Sequence, residues 1–319
     1  MRRASIAGLA LLLALAAAAC GSGTTNHPKD ADTGGSAPSA RSSVDVSGQQ
    51  GSKPTIKVST PLKVGESSSW TLAAGDGPTV GKGQQYVVNL TFADGRTGKT
   101  VASTYDQGRP VVFTPQQGFP VINDAVTGKS VGSRLVVAAA SKDAYGDKGS
   151  PQLGIKPGDS VVMVVDLTAA QPSDVLSGPK GASVKPPAGT PTLQTKNGTP
   201  TGFDFAGAGA KPRQLKVATL VKGTGPAVQA GDLITVNYLG VVWGKDKPFD
   251  ESFSRQPATF AIGLGQVIGA WDKGLVGVHQ GSRVVVLCPP DLAYGSQGSG
   301  STIPPNATLA FVVDVLGVG

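Results

Sequence analysis

The sequence predicts a mostly β, α+β protein in which one kind of domain occurs twice. Three observations carry this. Apolar residues come in short runs that alternate with polar ones between glycine-rich turns, and with 45 Gly and 24 Pro among 319 residues no long stretch keeps a helical period. That length suits two ordinary domains with tails and joins. Short motifs also recur at a near-constant interval: Gly132-Ser133-Arg134 returns as Gly281-Ser282-Arg283, Ala144-Tyr145-Gly146 as Ala293-Tyr294-Gly295, and Val164-Val165-Asp166 as Val312-Val313-Asp314. Self-similarity of this kind marks a tandem duplication.

Taken in order, Met1-Arg2-Arg3 is a positive n-region and Leu9 to Ala19 an apolar segment too short to span a bilayer, so residues 1–20 read as an export signal. Its end, Ala17-Ala18-Ala19-Cys20, resembles the lipobox of bacterial lipoproteins, with Ala17 where Leu is usual. The resemblance implies a lipid on Cys20, attachment to the bilayer through it, and an address on the outer face of the cytoplasmic membrane. Simple cleavage after Ala-x-Ala is the alternative. Residues 21–54 hold hardly a large apolar side chain and are expected to be a disordered tether.

Residues 55–170 form the first expected domain, with strands read at Thr55-Ile56-Lys57-Val58, at 86–90, at 135–137 and at 161–167. Residues 171–210 return to Pro, Gly, Ser and Thr and are expected to be a flexible linker with one extended piece at Phe203-Asp204-Phe205. Residues 211–319 form the second domain. There Ile234, Val236 and Tyr238 share one strand face, and Leu309, Phe311, Val313 and Val315 share another. Between them Ile268, Trp271 and Leu275 fall at i, i+3 and i+7, the buried stripe of one short helix that is stable only against a sheet.

Several chemistries are excluded by what the chain lacks. The net charge of +7 is spread so that each domain has only two more basic than acidic side chains, with no basic run among aromatics, which excludes nucleic acid as a partner. The only histidines, His27 in the tether and His279 beside Gln280-Gly281, leave no base for a Ser-His or Cys-His pair. No cluster has metal-ligand spacing and no phosphate loop appears, so neither metal nor cofactor is expected. With Cys20 lipidated, Cys288 has no disulfide partner and reads as a small buried hydrophobe. What remains is an aromatic set that is either core or pocket. Tyr238 and Tyr294 need hydroxyl partners if buried, and Phe249-Asp250 puts an anion beside a ring.

Residues 211–319 resemble a complete FKBP-type peptidyl-prolyl cis/trans isomerase domain. The motifs run in that family's order: Val236-Asn237-Tyr238-Leu239-Gly240, Phe249-Asp250-Glu251-Ser252, Gln266-Val267-Ile268-Gly269-Ala270-Trp271, Pro290-Asp291-Leu292-Ala293-Tyr294-Gly295, Ile303-Pro304-Pro305-Asn306-Ala307-Thr308-Leu309, and Phe311. The resemblance implies an antiparallel sheet of about five strands wrapped around one short helix in each domain. It implies a proline pocket with Trp271 as floor, Tyr238, Phe249, Val267, Ile268 and Phe311 as walls, and Ala293 and Ile303 among the substrate contacts. Asp250 and Tyr294 would supply polar contacts together with the backbone of Gln266 and the amide of Ile268, and Arg255 would pair with Asp250. Implied partners are proline-containing polypeptide clients and macrolides of the rapamycin type, for a monomer. Departures are Ala258 in place of a wall aromatic, Gln266 in place of Glu, and Ser299 and Thr302 in the flap. Losing Trp271 or Phe311 is expected to lower activity more than stability.

In the first copy, Leu90 aligns with Tyr238, Val101-Ala102 with Phe249-Asp250, Ile122 or a neighbour with Trp271, and Met163 with Phe311, while Tyr145 is kept. Floor and acid are gone together. Residues 55–170 are therefore expected to lack isomerase activity and to serve as a spacer or a polypeptide-binding surface. A chain in which neither domain turns over, acting purely as a binding or chaperone lipoprotein, is the alternative function.

Overall fold

Alternating apolar residues become strands throughout residues 40–114 and 119–319, which the computed structural model describes. The segment expected to be an export signal, Cys20 and His27 lie outside these residues. The chain divides into two units at Thr168 and Ala169.

In the first unit the strands are β1 (Val44–Ser47), β2 (Thr55–Val58), β3 (Ser68–Ala73), β4 (Tyr86–Asp94), β5 (Thr100–Ser103) and β6 (Val111–Phe113). Helix α1 (Pro120–Val126) and strands β7 (Arg134–Ala139) and β8 (Val161–Ala170) follow. The main sheet has the antiparallel order β3-β7-β8-β4-β5, with β6 also on β4. Helix α1 starts at Pro120, whose missing N–H costs nothing at a first turn, and buries Ile122, Ala125 and Val126.

The tether expected for residues 21–54 is corrected from residue 40 onward. β1 and β2 form a hairpin, Val44↔Val58 to Ser47↔Thr55, and its valines join Ile56, Leu62, Val136, Val162 and Val164 in a cluster on one face of the sheet. Val44-Asp45-Val46 is a two-residue alternation that suffices once a sheet is there to receive it. The hairpin turn is fastened by Arg134. Its guanidinium makes a bidentate pair with Asp166 at 2.6 and 2.8 Å and donates to the carbonyls of Gly48 at 2.9 Å and Ser52 at 2.7 Å.

The second unit contains β9 (Gly181–Ser183), β10 (Thr192–Lys196), β11 (Thr199–Asp204), β12 (Lys216–Gly223), β13 (Leu233–Val242), β14 (Pro248–Glu251) and β15 (Ala258–Ala261). Helix α2 (Gly269–Gly274), β16 (Arg283–Cys288) and β17 (Leu309–Val318) complete it. The sheet order is β14-β13-β17-β16-β12-β9, with β15 also on β13. The sheets thus hold six and seven strands rather than about five. In both units the outer place is shared by two short strands, and in the second β9 adds a further edge.

That extra edge corrects the flexible linker expected for 171–210. Besides β9, the β10–β11 hairpin lies on the sheet: Phe203 is buried against Leu239, Val241, Val285, Leu287 and Val312, and Phe205 meets Trp243 with ring centroids 4.8 Å apart. Arg283, paired with Asp314 at 2.6 and 2.7 Å, donates to the Gly198 carbonyl in this hairpin's turn at 3.4 Å. Each unit therefore has, ahead of its repeated motifs, a hairpin held on its sheet by the arginine of the Gly-Ser-Arg motif. The duplicated element is longer than the stretch in which motifs recur.

Candidate functional site

The other face of the second sheet carries helix α2. Trp271 N donates to Ile268 O at 2.9 Å and Leu275 N to Trp271 O at 3.0 Å, so the helix is hardly more than a turn between Ile268 and Leu275. Its approach is fixed by Asp272, whose carboxylate accepts from Gly263 N at 2.7 Å and Gly265 N at 2.9 Å. Both glycines have positive φ, 78° and 73°, which a side chain would oppose. This clamp leaves Gln266 exposed and Val267 and Ile268 half-buried at the mouth of the core.

Five rings converge there. Trp271, 4% exposed, stands edge-on to Tyr238 (5.3 Å between centroids), Phe260 (5.5 Å) and Phe311 (5.4 Å), and Phe311 meets Phe249 at 5.6 Å. Near-perpendicular contacts let each ring's positive edge meet a neighbour's negative face. The indole Nε1–H of Trp271 is buried and donates to no partner among the described residues. Gly240 makes the room: a Cβ there would lie 2.6 Å from the Phe311 ring and 2.7 Å from that of Phe249. Val267, Ile268, Ala293 and Ile303 pack around this cluster, Ile303 nearly fully buried.

Charge enters at one corner. The Tyr238 hydroxyl donates to Asp250 Oδ2 at 2.5 Å, and Arg255 donates to Asp250 Oδ1 at 2.7 Å and to the Glu251 carbonyl. Burial, then the hydrogen bond to Asp250 and its charge, push the Tyr238 phenol from 10 up to about 12. Its proton is therefore held well above neutrality. Tyr294, 38% exposed, is also raised, by burial first and then by the charges of Asp250 and Cys288. Asp250 and Arg255 are both exposed, so their pair is a positioning contact and not a large source of stability.

All the residues named from the sequence thus lie in this unit except Cys20, and the rings come together. Sequence reasoning missed Phe260, which packs on both Tyr238 and Trp271. The usable signal was strand alternation, Ala258 and Phe260 sharing a face of β15. It also missed the role of Gly240.

The first unit shows what that glycine does. The pairing Leu90 N to Thr104 Oγ1 (3.0 Å) and Thr104 Oγ1 to Asn89 Oδ1 (2.8 Å) repeats as Tyr238 N to Ser252 Oγ (3.0 Å) and Ser252 Oγ to Asn237 Oδ1 (3.1 Å). This makes Leu90 the counterpart of Tyr238 and Ala102 that of Asp250. The register Phe92↔Ala102 and Gly240↔Asp250 then makes Phe92 the counterpart of Gly240. Phe92 is 1% exposed and packs on Phe119 at 6.1 Å, which packs on Tyr145 at 5.4 Å. Where one copy lets the Phe249 and Phe311 rings close on bare backbone, the other sets a ring of its own.

A family model described as FKBP-type peptidyl-prolyl cis-trans isomerase matches residues 77–168 and again 225–316. An FK506-binding protein of Streptomyces anulatus is 41% identical over 117 residues, 36% of this chain and 94% of its own. An FK506-binding protein of Neisseria meningitidis is 41% identical over 105 residues, 33% of this chain and 95% of its own. The 39 kDa FK506-binding nuclear protein of Drosophila melanogaster is 38% identical over 104 residues, 33% of this chain but only 29% of its own length.

Proposed function

The chain belongs to the FKBP-type peptidyl-prolyl cis-trans isomerases, and from that premise we propose that its C-terminal unit turns over X-Pro bonds in the aromatic pocket around Trp271 while its N-terminal unit does not. The observation that carries the division is the Gly240/Phe92 pair: bare backbone on which the Phe249 and Phe311 rings close in one copy, a buried ring at that register in the other.

Rotation about X-Pro is slow because amide resonance must be broken, a barrier of about 20 kcal/mol. It needs no nucleophile, metal or proton transfer. A water-poor, ring-lined pocket holds the pyrrolidine, and twisting the amide leaves its carbonyl and nitrogen less conjugated and less in need of solvent. Such a site favours the twisted state over both planar ones. Asp250, held by Tyr238 and Arg255, and Tyr294 orient the peptide, with the backbone at Gln266 and Ile268 beside them.

The expected result for the full chain is catalysed isomerisation of a proline peptide, inhibited by a rapamycin-type macrolide. Asp250→Ala should lower kcat/KM by roughly ten- to a hundredfold, the effect of losing about 1.4–2.7 kcal/mol of transition-state contact. Because Tyr238 keeps its proton in the fold, its contribution to stability is fully present below pH 10 and is lost as pH rises toward 12. Tyr238 should therefore contribute no inflection to the activity profile below pH 10. An unchanged rate in Asp250→Ala would remove this corner from the mechanism.

We also propose that the clients are exported proteins, met at the membrane face where the lipid on Cys20 would hold the chain. Metabolic labelling with a fatty-acid analogue should mark the full chain and fail in Cys20→Ser; equal labelling of both would refute the anchor.

A further inference from the structure

In the second unit the chain closes the edge of its own sheet. β9 lies antiparallel on β12 through Val221↔Ser183, Lys222↔Ala182 and Gly223↔Gly181. The ladder continues at one end, Val184 N donating to Leu220 O at 2.9 Å, and at the other Lys180 N donates to Gly281 O at 2.8 Å, in the turn before β16. The approach is close, since a Cβ on Gly181 would lie 1.9 Å from Lys222 O.

β3 takes the place of β12 in the first unit. Gly75 N donates to Ser133 Oγ at 2.9 Å as Gly223 N does to Ser282 Oγ at 3.0 Å, which makes Gly75 the counterpart of Gly223 and Leu72 that of Leu220. Among the described residues no strand pairs with the outer edge of β3. The strand carries neither charge nor proline, and Leu72 is 44% exposed. Such an edge is a template for another strand unless it is blocked. At its Ser68 end lies a cleft of about 350 Å³ whose lining includes Glu66, Asp124, Asp143 and Lys142, three carboxylates to one ammonium.

We propose that the outer edge of β3 binds an extended polypeptide as an added antiparallel strand, in the manner of β9 on β12. The segment it fits has glycine opposite Gly75 and small uncharged residues after it. A Lys or Arg about four residues beyond the one opposite Leu72, at about 3.4 Å per residue, would reach the acidic cleft. This assigns the first unit a capture role that does not depend on isomerase activity in either unit.

The test is fluorescence anisotropy of a dye-labelled peptide, Pro-Lys-Gly-Ala-Ser-Val-Thr-Val-Thr-Lys, titrated with the full chain. Its first six residues repeat 179–184. Saturable one-to-one binding is expected. Because Leu220 O points outward and alternation turns Lys222 the same way, Leu72 and Ala74 present the outward groups of β3. Ala74→Pro, which deletes one outward N–H, should weaken binding at least tenfold at an unchanged thermal midpoint. A peptide ending in Glu should bind more weakly, and Glu66→Lys with Asp124→Lys, which turns the lining to three ammoniums against one carboxylate, should reverse the preference between the two peptides; this reversal decides the matter should Ala74→Pro fail to fold. No binding at about 1 mM, affinity untouched by Ala74→Pro, or no charge preference would each overturn the proposal. The second of these is also the outcome if the peptide displaces β9 from β12 instead.

Discussion

Trp271→Ala is expected to lower kcat/KM for prolyl isomerisation at least a hundredfold and to destabilise the C-terminal unit by about 3–5 kcal/mol. The sequence alone suggests a loss of activity with little loss of fold. The packing says otherwise: Trp271 is 4% exposed and touches three other rings, so truncation leaves a cavity that Tyr238, Phe260 and Phe311, each fixed on its own strand, are poorly placed to fill. The two effects separate in Trp271→Leu, which keeps an apolar anchor for helix α2 but removes the flat floor. Urea unfolding should show a smaller loss of stability while isomerisation stays strongly impaired. Should Trp271→Leu retain kcat/KM within about twofold, the indole is core packing and the pocket floor lies elsewhere.

Arg134→Met should destabilise the N-terminal unit by about 3–5 kcal/mol. Both members of its pair are 4% exposed, and removing the cation leaves the Asp166 carboxylate buried with only the Tyr105 hydroxyl, which donates to it at 2.5 Å. It also frees the carbonyls of Gly48 and Ser52, so the β1–β2 hairpin should lose its fastening before the sheet melts. Hydrogen exchange read residue by residue checks this: protection at 44–58 should fall further than at 86–94. Replacing the pair together, Arg134→Met with Asp166→Leu, should recover much of the stability, since the main cost of the single change is the stranded charge. Uniform loss of protection across the unit would mean that the arginine braces the sheet and not the hairpin.

The repeat and the ring set were legible because both rest on residue identity at fixed spacing. Trp271, Tyr238, Phe249 and Phe311 are rare residues in an aromatic-poor chain, and their joint absence from the first copy pointed to one site. Phe260 was harder to see, because an apolar residue in a short strand reads as ordinary core until the ring it touches is known. Gly240 was harder still. A glycine has no side chain to attract notice, and its meaning appears only when Phe92 is found at the matching register. The first half of one hairpin, at 40–47, and most of the other, at 192–202, were misread for a different reason. Their composition is that of a linker, and the few apolar residues that seat them, Val44, Val46 and Phe203, gain their stability from a sheet face far away in sequence.

The hairpin that carries Phe203 alters where this protein can be cut. A fragment drawn to the edges of the recognisable isomerase motifs, from residue 211 onward, would leave behind the side chain that covers Leu239, Val241, Val285, Leu287 and Val312. It would expose an apolar sheet face next to a β12 edge stripped of β9, a surface suited to self-association. The natural seam is upstream, near Ala169, where the chain passes from one unit to the next.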